Sequence, residues 1–177
     1  MKVLKFGGSS LASVERFLEV AGIVKQQLSA EPISLVLSAP QGVTNMLVEL
    51  TDLAFLGTDY LPVLQQWQQR LSGLQQQAQA QLSEAANNTL TQVREAQFAT
   101  LSAQLQGVAL LQYCPDHIKA KILGLGEQFS VTLMAALLNA NQIAAQALDA
   151  VTLVKSSGDY LNASADIAAS EQTLQSA

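Results

Sequence analysis

The 177-residue sequence has little of what several classes of protein require. It has one cysteine, Cys114, which excludes an internal disulfide framework and favours a reducing compartment. Only 13% of the residues are charged, and the scattered Lys and Arg are outnumbered by Asp and Glu, which argues against nucleic acid or an anionic membrane as a partner. No signal-peptide pattern and no apolar run of about 20 residues is present, so we expect a cytoplasmic protein.

Apolar residues make up 49% of the sequence, which is enough for one domain with a sizeable core. Short apolar runs at residues 1–6, 33–38 and 143–148 predict buried parallel strands, the first two joined by a helix that ends before Pro32. Helical spacing of apolar residues predicts further helices over residues 43–56, 62–82, 84–105, 115–138 and 164–177. Residues 62–106 are expected to form a helical hairpin inserted into an α/β scaffold.

The Gly-rich segment at residues 5–10 reads Lys-Phe-Gly-Gly-Ser-Ser and follows the first predicted strand. Adjacent glycines let backbone N–H groups approach an anion, and a helix N-terminus behind them adds favourable partial positive charge. The spacing is neither that of a Walker P-loop nor that of the dinucleotide fingerprint. On these residues alone, a phosphate site and a plain strand-to-helix turn both remain open.

Two further segments give this motif a context. Residues 35–45 read Leu-Val-Leu-Ser-Ala-Pro-Gln-Gly-Val-Thr-Asn, and residues 126–130 read Gly-Glu-Gln-Phe-Ser, followed by Ala-Leu-Asp-Ala at residues 147–150. Together with Lys-Phe-Gly-Gly-Ser-Ser, these ordered blocks resemble the signature of aspartate kinases in the amino-acid kinase superfamily. Cys-Pro-Asp at residues 114–116 and the long helical insert are most similar to bifunctional aspartate kinase–homoserine dehydrogenases.

The resemblance implies a helix-rich, three-layer αβα fold with a mainly parallel central sheet. It also implies transfer of the γ-phosphoryl group of ATP to the side-chain carboxylate of L-aspartate, giving 4-phospho-L-aspartate. Gly7, Gly8 and Ser9 would bind the ATP phosphates, and Lys5 would offset charge on the phosphoryl group in transfer. Mg²⁺ would be held through the nucleotide phosphates, with no metal ligand from the chain.

For the amino acid, the resemblance implies that Ser38, Ala39 and Thr44 shape the aspartate site and that Glu127 holds the α-ammonium group. The residues by themselves leave other interpretations open. Ser38 could simply end a strand, Thr44 with Asn45 could cap the following helix, and Glu127 could be a surface carboxylate.

The resemblance reaches only the first part of an aspartate kinase. The nucleotide-binding half, the regulatory ACT domains and the dehydrogenase module have no counterpart in these residues, so we expect an N-terminal lobe that is inactive by itself and a homo-oligomer that covers its exposed faces. Two alternatives to the aspartate kinase stay open. One is a related kinase for another small acid, and the other is a non-enzymatic module for amino-acid binding or assembly.

Overall fold

The computed structural model describes residues 2–28 and 31–175. The first half contains a βαβ unit, in which strand β1 (Lys2–Phe6) leads through a short 3-10 helix (Gly8–Leu11) and α1 (Val14–Gln27) to strand β2 (Ile33–Leu37). The strands are parallel, and the register runs from Lys2 opposite Ile33 to Phe6 opposite Leu37. Ser13 caps α1 by accepting a hydrogen bond from the Arg16 N–H. The prediction of a helix-rich α/β fold with a parallel sheet is confirmed.

The two faces of this sheet differ. Phe6, Ile33 and Leu35 pack against the hydrophobic core, and Leu37 is part of it. Because side chains alternate along a strand, Val3 lies on the opposite face, as does Val36. These two valines are 59% and 48% exposed, so one face of the sheet carries uncovered apolar surface.

Helices make up most of the remaining chain. They are α2 (Val43–Phe55), α3 (Leu61–Ala78), α4 (Glu84–Leu111), α5 (Asp116–Leu123), α6 (Leu125–Ala140), α7 (Ala150–Leu153) and α8 (Ile167–Gln175). Residues 62–106 fall in α3, a short connection that contains a 3-10 helix (Gln79–Gln81), and α4. The helices α3 and α4 contact each other, and α4 runs longer than predicted, to Leu111. Gln75 links the two helices by donating to the Asn87 carbonyl and the Thr91 hydroxyl, at 3.0 and 2.7 Å.

The core lies between these helices and the inner face of the sheet. Its largest fully buried side chains are Trp67, Phe17, Phe129, Leu11, Leu47, Leu50, Leu71, Leu74, Leu90, Leu101, Leu105 and Ile122. The stretch Asp116–Ala140 is long and apolar enough for a membrane span by length and composition alone. In this domain Phe129, Leu133 and Leu137 of that stretch are fully buried among the other helices, as in a core helix.

The predicted third strand at residues 143–148 is wrong. These residues have no regular secondary structure, and their hydrogen-bonding groups are partly used by a side chain. The Asn139 amide donates to the Ala145 carbonyl at 2.8 Å, and its oxygen accepts from the Ala145 N–H at 3.1 Å. Ala145 therefore pairs with the end of α6 instead of with β2.

Two helix predictions also need correction. The single helix predicted over residues 115–138 is broken at Gly124, which ends α5 and precedes α6. The last helix begins at Ile167 and not at residue 164, because Ser164–Ala165 (β4) pairs with Ser156–Ser157 (β3) in a short antiparallel ladder. Residue 1 of the first predicted strand and residues 176–177 of the last helix lie outside the described residues.

Candidate functional site

The Gly-rich turn leaves the carboxyl end of β1, which is the edge where ligands bind in open parallel sheets. Gly7 precedes the 3-10 helix and accepts a hydrogen bond from the Ser10 N–H at 3.0 Å. A side chain at Gly7 would meet open space, whereas a Cβ at Gly8 would lie 2.9 Å from the Ala39 carbonyl oxygen. The backbone at Gly7 is therefore open to solvent, whereas Gly8 packs tightly against Ala39. This arrangement leaves room for an anion to approach the backbone N–H groups of the turn.

A second turn leaves the adjacent end of β2. The Ser38 N–H donates to the Phe6 carbonyl at 3.1 Å, which ties the two strand ends together. Ala39 is only 2% exposed. Gly42 begins α2 with φ of 85°, a left-handed conformation that favours glycine.

The start of α6 meets this second turn. A Cβ at Gly126 would lie 2.5 Å from the Ala39 Cβ and 2.9 Å from the Val43 Cγ1, distances that real side chains do not reach. Ala39 is thus in close contact with Gly8 through its carbonyl and with Gly126 through its methyl group. The three sequence blocks converge on one alanine, although two of them are more than 80 residues apart in the chain.

Glu127 follows Gly126 and is half-buried. Its Oε2 atom is buried and has no hydrogen-bond partner within residues 2–28 and 31–175. A buried carboxylate oxygen without a partner is costly, and a bound cation is one way to satisfy it. One carboxylate oxygen of Glu127 is therefore shielded from solvent, unlike the oxygens of a fully exposed surface carboxylate.

Glu127 lines a groove of about 720 Å³. The walls of this groove are β2, one side of α6 and residues 143–151, and most of the lining is apolar. Lys5 lies directly opposite Val36 in the β ladder, and Val36 belongs to the groove wall. Lys5 thus stands on the strand next to the groove, and it is exposed.

The remaining predicted residues lie near these turns. Ser9 is exposed in the 3-10 helix, and Ser38 is half-buried just after β2. Thr44 is exposed in the first turn of α2, where the N-cap is Gly42 without a side-chain hydrogen bond. The alternative that Thr44 and Asn45 cap this helix is therefore wrong.

Sequence reasoning missed Arg70 and Gln97, residues of α3 and α4 that contact the segments forming the site. Arg70 on α3 donates from Nη2 to the Ala12 carbonyl at 2.6 Å, just after the 3-10 helix. Gln97 on α4 is 3% exposed and donates to the Leu125 carbonyl beside Gly126. Gln97 follows Leu90 by seven residues and precedes Leu101 by four, so helical spacing alone could have identified it as a buried polar residue.

No group of three or more acidic, histidine or cysteine side chains that could hold a metal is found in the part of the chain that the structure describes. The two turns and the start of α6 therefore offer backbone N–H groups and the unpartnered carboxylate oxygen of Glu127, and Lys5 lies exposed on the adjacent strand β1. Such a set can bind an anionic group next to a cationic one.

Residues 1–174 match the amino acid kinase family. The sequence is 31% identical over 176 residues to a bifunctional aspartokinase/homoserine dehydrogenase of Buchnera aphidicola, a match that covers 99% of this chain and 22% of the relative. The chain thus spans about a fifth of the length of this curated relative.

Solved structures show the same fold. Escherichia coli aspartokinase III in complex with lysine and aspartate superposes with a TM-score of 0.84 at 23% identity, over 99% of this chain and 37% of that one. The same enzyme in complex with aspartate and ADP gives a TM-score of 0.83 at 23% identity, with the same coverage.

Proposed function

We propose, since this chain belongs to the amino acid kinase family, that it forms the aspartate-binding and phosphate-facing part of an aspartate kinase. The observation that carries this proposal is the unpartnered Oε2 of Glu127, buried one residue from the point where Gly126 packs on Ala39. The relative in Buchnera is a bifunctional aspartokinase/homoserine dehydrogenase, and the structural neighbours were solved with lysine and aspartate or with aspartate and ADP.

In this proposal Glu127 pairs with the α-ammonium group of L-aspartate. Such a pair would satisfy the orphaned carboxylate oxygen with a charge-assisted hydrogen bond, which is stronger than one between neutral groups. Ala39 and Ser38 form the floor beside it, and the exposed Thr44 hydroxyl donates to a substrate carboxylate. An acid without an α-ammonium group would leave the Glu127 oxygen unsatisfied, which favours an amino acid over other small acids.

The phosphoryl donor would lie on the Gly-rich turn. The N–H groups of Gly7, Gly8 and Ser9 face the β- and γ-phosphates of ATP, and Lys5 offsets charge on the γ-phosphoryl group. An oxygen of the aspartate side-chain carboxylate attacks the γ-phosphorus, the bond to the β,γ-bridging oxygen breaks, and ADP leaves with the electron pair. No general base is needed because the nucleophile is already ionised, so catalysis rests on positioning and charge neutralisation. Mg²⁺ held by the phosphates would supply further neutralisation.

We also propose that these 177 residues by themselves do not turn over substrate. The chain covers 37% of the solved aspartokinase chains and 22% of the bifunctional relative, so further kinase segments would be needed to enclose the nucleotide. Phosphoryl transfer in an open, water-filled site loses both positioning and electrostatic stabilisation. Formation of acyl phosphate by the purified chain from ATP and aspartate would contradict this.

The test is a comparison of Glu127→Gln with Glu49→Gln in the full-length protein that carries this chain. Both variants remove one negative charge, but Glu49 lies exposed on α2. We expect Glu127→Gln to raise the KM for aspartate by about 10- to 100-fold, the effect of losing a charge-assisted bond of roughly 1.5–3 kcal/mol. Glu49→Gln should leave it unchanged. Equal KM values for aspartate in the two variants would overturn the proposal. Higher activity on another acid in a substrate panel would instead favour a related kinase for that acid.

A further inference from the structure

Gln97 on α4 forms hydrogen bonds to the segment of α6 that carries Glu127. Its amide nitrogen donates to the Leu125 carbonyl at 2.9 Å and to the Gln128 Oε1 at 3.1 Å. These two acceptors flank the Gly126–Glu127 pair in the chain. Both amide protons of Gln97 are thus used on one turn of α6.

The first turn of α6 has no side-chain cap to fix its position. The chain breaks at Gly124, which precedes α6 with φ of −81° and ψ of −3° and supplies no side-chain cap. Helix ends without capping side chains depend on tertiary contacts for their placement. The contacts of this turn with other elements include the packing of Gly126 on Ala39, the packing of Leu125 against the core and the two hydrogen bonds from Gln97.

The stability of the fold does not explain why a glutamine is buried at position 97. The residue is 3% exposed, and its Oε1 atom is buried without a hydrogen-bond partner among the described residues. An unsatisfied buried oxygen offsets much of what the two donated hydrogen bonds contribute, so an apolar side chain of similar length could replace it at little cost.

We propose that Gln97 is a positioning residue that holds the first turn of α6 so that Glu127 Oε2 faces the groove. The inference rests on the proposed function, because Glu127 is the group whose place matters. Through this contact, the α3–α4 pair controls the affinity for the amino acid without touching it.

The experiment measures steady-state kinetics and thermal unfolding of Gln97→Met in the full-length protein. We expect an unfolding temperature close to that of the wild type, an unchanged KM for ATP, and a KM for aspartate raised by about tenfold, within the ~100-fold that a misplacement of about 1 Å can cause. In a Glu127→Gln background, Gln97→Met should have little further effect on the KM for aspartate, because it acts through that carboxylate.

Gln104→Met is the matched control. Gln104 lies two helical turns further along α4. Its Oε1 atom is also buried without a hydrogen-bond partner within the described residues. Gln104→Met therefore makes the same chemical change as Gln97→Met, but at a residue two helical turns away from the contact with α6. We expect it to leave both KM values unchanged. If Gln97→Met does not fold, Gln128→Met provides a second variant, because Gln128 is the exposed partner of one of the two Gln97 hydrogen bonds. Gln128→Met should also raise the KM for aspartate.

These measurements distinguish a failure of the positioning role of Gln97 from a failure of the proposed function. The positioning role of Gln97 is refuted, and the proposed function stands, in either of two cases. In the first, Glu127→Gln raises the KM for aspartate but Gln97→Met and Gln128→Met do not. In the second, Gln104→Met has the same effect as Gln97→Met. If Glu127→Gln itself leaves the KM for aspartate unchanged, the proposed function fails, and the positioning role fails with it.

Discussion

Gly126 packs so closely on Ala39 that a Cβ on the glycine would lie 2.5 Å from the alanine Cβ. This contact joins the start of α6 to the turn after β2, and it fixes where Glu127 enters the groove. The glycine is required here for close approach and not for an unusual backbone angle, since only a hydrogen fits between the two segments.

Gly126→Ala tests this contact. The added methyl group forces the start of α6 away from Ala39 and Val43, and we expect a loss of about 1–3 kcal/mol in the free energy of unfolding, the usual cost of overpacking. The measurement is denaturant unfolding of the 177-residue chain. Gly22→Ala is the control, because Gly22 is exposed in α1 and an added methyl group there would have no neighbour within 4 Å. That variant should gain up to about 1 kcal/mol, and equal effects of both variants would contradict the close packing.

Much of this fold could be predicted from the sequence because local signals agree with the final packing. The apolar runs before Gly7 and after Pro32 are strands, and the helix predicted from residue 84 begins at Glu84 as α4, capped by Ser83. The predicted strand at 143–148 failed because the Asn139 side chain competes for the Ala145 backbone, a tertiary contact that periodicity does not reveal. The roles of Arg70 and Gln97 could not be predicted for the same reason, since each acts on a backbone carbonyl far away in sequence.

Lys5 is expected to act on the chemical step and not on folding. It is exposed, so Lys5→Met should leave the unfolding temperature unchanged. In the full-length protein we expect kcat to fall by about 10²- to 10³-fold, the usual effect of removing one group that stabilises transition-state charge. Lys2→Met is the matched control on the same strand. Lys2 is also exposed, its ammonium bonds to Gln27 Oε1, and the alternation of side chains places it on the other face. A full kcat for Lys5→Met would exclude the lysine from catalysis.

Arg70 links α3 to the segment behind the Gly-rich turn. Because its guanidinium donates to the Ala12 carbonyl at 2.6 Å, Arg70→Met should loosen the 3-10 helix that carries Gly8 and Ser9. We expect the KM for ATP to rise several-fold while the KM for aspartate stays near the wild-type value. The control is Arg16→Met, which removes an exposed arginine whose partner is Glu19 on the same helix. A rise in the KM for aspartate alone would show that Arg70 does not act on the nucleotide side.

The uncovered face of the sheet predicts self-association. Val3 and Val36 are 59% and 48% exposed on adjacent strands, and exposed apolar patches of this kind mark contact surfaces. We expect the chain to sediment as a dimer or larger species and Val3→Thr/Val36→Thr to shift it towards the monomer. Threonine keeps the shape and the strand propensity, so a loss of association without a loss of secondary structure assigns the contact to this face. A wild-type chain that sediments as a single monomer would contradict the prediction.

Cys114 provides a test of local burial that needs no substrate. Partial burial raises the pKa of the Cys114 thiol, while the nearby Lys119 ammonium opposes this and the Asp116 and Asp52 carboxylates add to it. The thiolate is the reactive form, and in the folded chain it forms only at a higher pH than in the unfolded chain. At pH values between these two pKa values, iodoacetamide should therefore alkylate the native chain more slowly than the chain in urea, as followed by mass spectrometry. Lys119→Met removes the positive charge that lowers this pKa and should slow native alkylation further, and an increase in the native rate would show that the sign of the electrostatic effect is wrong.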